Sequence, residues 1–173
     1  MPFASALYFM MDMRTTTLQT RLNELFRHNG GGRLIIQQAF SKLRANFDHS
    51  PFEAAVRSLV KEEYSGNHPL TAWNGYRILG VDRSYLQLPR VEDLRWDFGV
   101  RGSDICPMAG VSVLFDVLHG WALDPVITNA YMNEREQCKK HMDFLTGELP
   151  EIAAKSIITV DRGYPSADMF EKF

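Results

Sequence analysis

Two stretches of this chain share one form, an apolar run closed by an aspartate: Ile78-Leu-Gly-Val-Asp82 and Ile157-Ile-Thr-Val-Asp161. Short runs of aliphatic and β-branched residues read as buried strands. Each aspartate is therefore expected at the tip of a central strand, at the mouth of a sheet where ligands of open α/β sheets bind. If the two strands are neighbours, the carboxylates converge. Converging carboxylates suit Mg²⁺, which takes oxygen ligands and keeps positions open for phosphate and water; Mn²⁺ would substitute. Such ions activate the attacking oxygen and stabilise the leaving oxygen of an in-line phosphodiester displacement. Asp82 and Asp161 are thus the candidate catalytic and metal-ligating groups, and the chemistry they point to is phosphoryl transfer on nucleic acid. A strand-end aspartate also commonly caps a turn, and that alternative stays open for each.

The elements that must position them follow from periodicity. Leu18, Leu22, Leu25 and Phe26 form the stripe of an amphipathic helix over residues 15–29, which Gly30-Gly31-Gly32 ends. Ile36, Phe40, Leu43 and Phe47 predict a second helix, with Arg33, Lys42 and Arg44 on its other face. Ser50-Pro51-Phe52-Glu53 starts a third, because a cap residue, a proline at the first helical position and a glutamate three residues on all agree. Residues 1–68 therefore read as a helical module closed by the turn-rich stretch 65–69, and the first dozen residues are assigned little structural meaning. Residues 69–173 change period. Strands are expected at 76–81 and 85–88, no regular element between 91 and 107, a hairpin from 108–118 and 121–130 about His119-Gly120, a helix over 133–147 and a strand over 156–160. The fold class is α+β or α/β, a helical module followed by a mixed sheet with helices packed on it.

Composition agrees with a folded protein: 45% of residues are hydrophobic and 23% charged, far from the profile of disordered chains. Residues 1–64 carry eight Lys and Arg against six Asp and Glu, and residues 65–173 eleven against fifteen. A basic front before an acidic back fits DNA binding by the first and metal binding by the second. Cys106 and Cys138 stand far apart without zinc spacing and are expected as reduced, buried thiols of a cytoplasmic protein. The apolar opening is too short for a membrane span and lacks the basic flank of a signal peptide, so no membrane partner is expected.

Longer blocks carry a resemblance. Leu79-Gly-Val-Asp-Arg-Ser-Tyr-Leu-Gln-Leu-Pro89 and Val160-Asp-Arg-Gly-Tyr-Pro-Ser166 resemble the blocks around the first and second catalytic aspartates of DDE-type transposases of bacterial insertion sequences, the group with a Tyr-x2-Arg-x3-Glu-x6-Lys signature. The hairpin through Ile127-Thr-Asn129 and the helix with Glu134 fall where that family has its own. Thr17-Leu-Gln-Thr20 and Gln38-Ala-Phe-Ser-Lys-Leu-Arg44 look like its helical amino-terminal region, so the resemblance runs from about Arg14 onward. It implies a ribonuclease-H-like core, here incomplete, that cuts double-stranded DNA at element ends and joins it to a target using Mg²⁺ held by Asp82 and Asp161. It also implies a homodimer or a full-length transposase as partner. Two departures stand out. Arg83 replaces the glycine that usually follows the first aspartate, and the sequence stops at Phe173, before the signature that supplies the third acid. Glu171 is expected on a solvent-facing helix and not as that ligand, so little activity is expected of this chain alone.

Candidate DNA contacts are Arg33, Lys42, Arg44, Arg83, Arg95, Arg101 and Arg162, since basic side chains dominate phosphate contacts; a solvated helix face is the plain alternative for the first three. His119 and His141 read as structural or exposed, Asp116 and Asp124 as turn or edge residues. Trp73, Trp96 and Trp121 read as packing residues, Trp96 being the best placed of them for stacking on DNA. Two other functions stay on the table: a truncated transposase that binds DNA or a partner without cutting, and a metal-dependent phosphatase built on Asp82.

Overall fold

A computed structural model describes residues 3–12, 15–28, 35–65, 72–103 and 105–164. The chain divides into two compact units, Met1–Ala55 and Val56–Phe173. The division falls inside a helix, whereas the sequence suggests a linker near residue 68.

The first unit holds α1 (Phe3–Met11), α2 (Leu18–His28), α3 (Gln37–Arg44) and the start of α4 (Ser50–Ser65). Its core is small: Phe9, Leu22 and Phe40 are buried, with Leu18, Leu25 and Phe26 packed around them. The α2 stripe read from sequence is the face that turns inward. α1 corrects the low weight given to the first residues, because Phe9 packs edge-on to Phe40 and lies under the Arg21 guanidinium, 4.6 Å away. Arg21 also donates to the Phe9 carbonyl at 2.7 Å and to that of Asp12, so one cation ties the end of α1 to α2. α3 is shorter than its pattern predicts; only Phe40 is buried, while Ile36 and Leu43 are exposed. Gln19 supplies its missing cap, accepting from the Gln37 N–H at 2.9 Å. α4 opens one step earlier than the serine signature suggests, since Asp48 Oδ1 accepts from the Ser50 N–H at 3.1 Å.

The second unit is a four-stranded mixed sheet in the order β3-β2-β1-β4, formed by β1 (Arg77–Gln87), β2 (Met108–Asp116), β3 (Trp121–Asn129) and β4 (Ser156–Val160). β1 pairs antiparallel with β2 and parallel with β4, and β2 pairs antiparallel with β3. The described residues therefore form an α+β protein. α5 (Glu92–Phe98) lies between β1 and β2, α6 (Glu134–Glu148) and α7 (Pro150–Ala153) between β3 and β4. Two strand expectations merge into one: residues 77–87 run unbroken through Asp82, because β2 pairs with β1 along its whole length from Leu79 to Gln87. α5 occupies the stretch expected to be irregular. The hairpin, the helix and the last strand stand as read, although the hairpin loop spans 117–120 and closes through Gly120 N–H to the Asp116 carbonyl.

α6 starts at Asn133, whose side chain accepts from the Arg135 N–H at 2.9 Å, with Glu134 and Glu136 in the first turn; carboxylates there complement the helix dipole. The helix buries Cys138, Met142, Phe144 and Leu145 against Leu79, Val81, Leu114 and Leu123 of the sheet. Tyr64 of α4 joins the same core. Its hydroxyl donates to Asp116 Oδ2 at 2.6 Å, and the same carboxylate accepts from the Leu118 and His119 amides and from His119 Nδ1. Arg77 stacks over Tyr64 and approaches Asp116 at 3.6 Å.

Burial opposes ionisation of Asp116, but the hydrogen bonds from Tyr64 and His119 outweigh it and hold its pKa below the usual aspartate value. A lowered folded pKa stabilises the fold fully above the unfolded value of roughly 4, and that contribution is lost as pH falls through the folded value. Asp116→Asn is expected to cost about 2 kcal/mol at neutral pH. In urea titrations the gap from wild type should narrow on acidification below pH ~4; a gap that stays constant would rule out the ionised carboxylate as its source.

Candidate metal centre

Alternation along β1 sends Leu79, Val81 and Arg83 to the helix-covered face and Gly80, Asp82 and Ser84 to the other. Asp82 thus lies mid-strand on the open face, not at a strand tip as the sequence suggests. Asp161 does follow the end of its strand. Because Val81 pairs with Val160 in the parallel ladder, Asp82 and Asp161 stand one residue beyond that pair on neighbouring chains, whose backbones lie about 5 Å apart. Both line one cleft of about 710 Å³, floored by Val111, Val113 and Phe115 of β2 and flanked by Ser84 and Thr159. The structure therefore brings the two together.

Their local geometry matches as well. Each carboxylate accepts from the amide of the residue after it, Asp82 Oδ1 from Arg83 at 2.8 Å and Asp161 Oδ1 from Arg162 at 2.6 Å. Among the described residues neither forms an ion pair. Two exposed carboxylates so close offer the oxygen donors that a hard divalent ion takes. Among the described residues no group of three His, Cys, Asp or Glu side chains could hold a metal, so the fit is to two protein ligands with the other positions open. Tyr164, 2% exposed, closes the end of β4. Burial, then the charges of Glu134 and Asp82, push its hydroxyl up to about 12.

No protein-family model, curated protein or solved structure matches the chain. The function is therefore argued from the chemistry of these residues.

Arg83, expected among the DNA contacts, lies across the sheet from Asp82. Its side chain is 5% exposed, stacks over Tyr85 at 4.6 Å, donates to the Ala130 carbonyl and reaches Glu134 at 4.0 Å. Gly110 makes room for it, since a Cβ there would sit 2.6 Å from the guanidinium. Lys42 and Arg44 are exposed on α3, Arg95 on α5, Arg101 over the Tyr85 ring, and Arg162 beside Asp161. Arg33 and Glu171 lie outside the described residues. Trp73 and Trp121 are 55% and 40% exposed, and Trp96 is 82% exposed, so none of the three is the packing residue expected. Cys106 and Cys138 are buried and are not joined in a disulfide.

Behind Asp82 the sheet holds a polar chain that periodicity did not reveal. His141 of α6, fully buried, places Nδ1 2.8 Å from Asp124 Oδ2 and Nε2 2.9 Å from Ser112 Oγ. Ser112 donates its single hydroxyl proton to the Asp82 carbonyl at 3.2 Å. His141 Nε2 then donates to Ser112, and Nδ1 is joined to Asp124, so both ring nitrogens are engaged. The residue types are those of a hydrolytic triad, but Ser112 and His141 are 0% exposed and the hydroxyl proton is engaged, so no substrate reaches a nucleophile. The chain instead pins α6, β3 and the Asp82 backbone together. A bulge makes this possible: the β2–β3 register shifts so that Leu114 faces Asp124 and Phe115 faces Ala122. Leu123 becomes the extra residue, and both Leu123 and Asp124 are buried.

Removing one partner of a buried hydrogen-bonded pair leaves the other unsatisfied, whereas replacing both by apolar groups costs much less. His141→Leu is expected to destabilise the protein by about 1–3 kcal/mol, and adding Asp124→Leu to recover a large part of that loss. Chemical denaturation of the single and double variants checks the coupling; simple additivity would mean that the two side chains do not act as a pair.

Proposed function

We propose that this chain is a DNA-transposase-like phosphoryl-transfer protein in which Asp82 and Asp161 form the metal-binding part of the site. The observation that carries the reading is the pair of carboxylates one step beyond Val81 and Val160, in one cleft and without an ion pair among the described residues. A hairpin and a helix separate the two aspartate strands in sequence, in the order the resemblance to insertion-sequence transposases leads one to expect, and a ribonuclease-H-like core is the specific form proposed for the mixed sheet. Asp82 and Asp161 would hold Mg²⁺ or Mn²⁺, which supplies activation of the attacking oxygen and stabilisation of the leaving oxygen in phosphodiester exchange.

The protein's own part is placement. Parallel pairing fixes the spacing of the carboxylates, and the Arg83 and Arg162 amides fix one oxygen of each. The open apolar floor leaves room for a phosphodiester, and Arg162 stands beside Asp161 to meet its charge. The substrates proposed are double-stranded element ends and target DNA, the partner a second copy or a full-length transposase, and the compartment the cytoplasm. No helix of the described residues is long and apolar enough to cross a membrane. A second reading, a DNA- or partner-binding protein that does not cut, is favoured by the two-ligand count, because phosphoryl-transfer sites of this kind commonly use a further acid.

Calorimetric titration with Mg²⁺ and Mn²⁺ tests the site, with Asp82→Ala and Asp161→Ala as controls and supercoiled-plasmid nicking alongside. Saturable binding abolished by either substitution, with weak nicking, is the expected result. Full binding in both variants would remove the carboxylate pair from the function, and metal binding without any nicking would select the non-cutting reading.

A further inference from the structure

A second cleft, of about 670 Å³, lies between α5, the loop that follows it and the connection from β3 to α6, lined by Arg90, Arg95, Trp96, Gly99, Ile105 and Tyr131 among others. Its volume is in the range of small-ligand sites. Its walls are unusual for a solvated surface, because Trp96 is 82% exposed, Tyr131 70% and Ile105 64%. Three large apolar groups left open to water around one concavity mark a binding surface.

The wall is built. Gly99 has φ +76° and carries the Tyr131 ring directly against it; a Cβ there would stand 2.3 Å from the ring. The Tyr131 hydroxyl accepts from the Val100 N–H at 3.2 Å, and Asn129 Oδ1 accepts from the Tyr131 amide at 3.0 Å. The ring is therefore fixed from its backbone and from its tip. Arg90 is held by donation from Nε to Cys106 Sγ at 3.1 Å, while Arg95 is exposed on α5 beside Trp96. Glu92 is the one carboxylate among the lining residues, against two arginines.

We infer that this cleft binds the unpaired bases of single-stranded DNA, stacking on Trp96 and Tyr131 while Arg90 and Arg95 take the phosphates. Flat aromatic faces open to solvent and flanked by guanidinium groups are what a stacked base and its backbone require. A duplex hides its bases' faces and would leave Trp96 and Tyr131 unused. The choice of DNA as the polymer rests on the proposed function, but the cleft does not use the aspartates: five residues of β1 separate Asp82 from Leu88, about 20 Å in extended chain, and Leu88 donates to the carbonyl of Pro107 in the cleft wall. An opened strand end would thus be held at a distance from the carboxylates, which suits a protein that must manage DNA ends.

Fluorescence anisotropy of labelled oligodeoxythymidylate with the full chain, in EDTA and low salt, tests the inference. Wild type should bind saturably and prefer the single strand to a duplex competitor. Trp96→Ala should weaken binding about tenfold and Arg95→Ala should lower the salt dependence. Because Trp96 is almost fully exposed, its substitution leaves the fold unchanged by circular dichroism. The double variant Asp82→Asn/Asp161→Asn should bind like wild type, so loss of metal binding and loss of strand binding are separate results. Absent binding, equal affinity in Trp96→Ala, or a preference for duplex would each overturn the inference.

Discussion

The parallel pairing of β1 with β4 is the constraint on which the second unit depends. Two parallel neighbours cannot be joined by a tight turn; here the hairpin, α6 and α7 make the return, and α6 covers one face of the sheet as it does so. The register Val81 to Val160 then decides everything about the site. A slip of one residue would turn every β4 side chain to the other face, sending Asp161 away from Asp82 and leaving Ile158 and Val160 outside the core they now join.

What holds α6 and the hairpin to the sheet is unusually polar. Ser112, Asp116, Asp124, Thr128, Gln137 and His141 are all buried, and most of them are engaged: Gln137 donates to Thr128 at 2.7 Å, His141 bridges Asp124 and Ser112, and Asp116 gathers Tyr64, His119 and two amides. An apolar interface tolerates sliding because its attraction is non-directional. Directional groups with no water to fall back on do not tolerate it, since each unmade bond costs its full desolvation penalty. Asp124, Ser112 and Thr128 thus fix α6 over β2 and β3 through His141 and Gln137, and Ser112 transmits that to the carbonyl of Asp82.

Much of this was legible in the residues. The α2 stripe, the hairpin, the Asn133 helix start and the Ile157–Val160 strand all follow from period and caps, because in each the local preference and the tertiary environment agree. The misreadings have particular causes. Asp82 and Arg83 interrupt the apolar run on β1 and so mimic a break between two strands, yet a polar residue in mid-strand is tolerated when its face is open. Asp124 and His141 could not be paired from spacing, since the pair depends on the Leu123 bulge, which breaks the alternation that sequence reasoning relies on. Gly110 was the available signal for the buried Arg83: a glycine inside a strand marks close approach by another group. α5 was missed because a seven-residue helix with no side-chain cap leaves too short a periodic trace.

The alternation that hides Arg83 also explains how Asp82 stands without an ion pair among the described residues. A cation directly after the aspartate would be expected to neutralise it. In an extended strand, however, consecutive side chains point to opposite faces, so Arg83 passes through to the helix side, where Gly110, Tyr85, Glu134 and the Ala130 carbonyl receive it. Only its backbone N–H stays with Asp82. The aspartate thereby gains one oriented donor and lines the cleft. Had the arginine stood two positions away instead of one, it would share the face of Asp82 and close the carboxylate in an ion pair. The departure from glycine at this position is therefore compatible with a cation-binding site: the long side chain stabilises the far face of the sheet while the charge on the near face is left for a ligand.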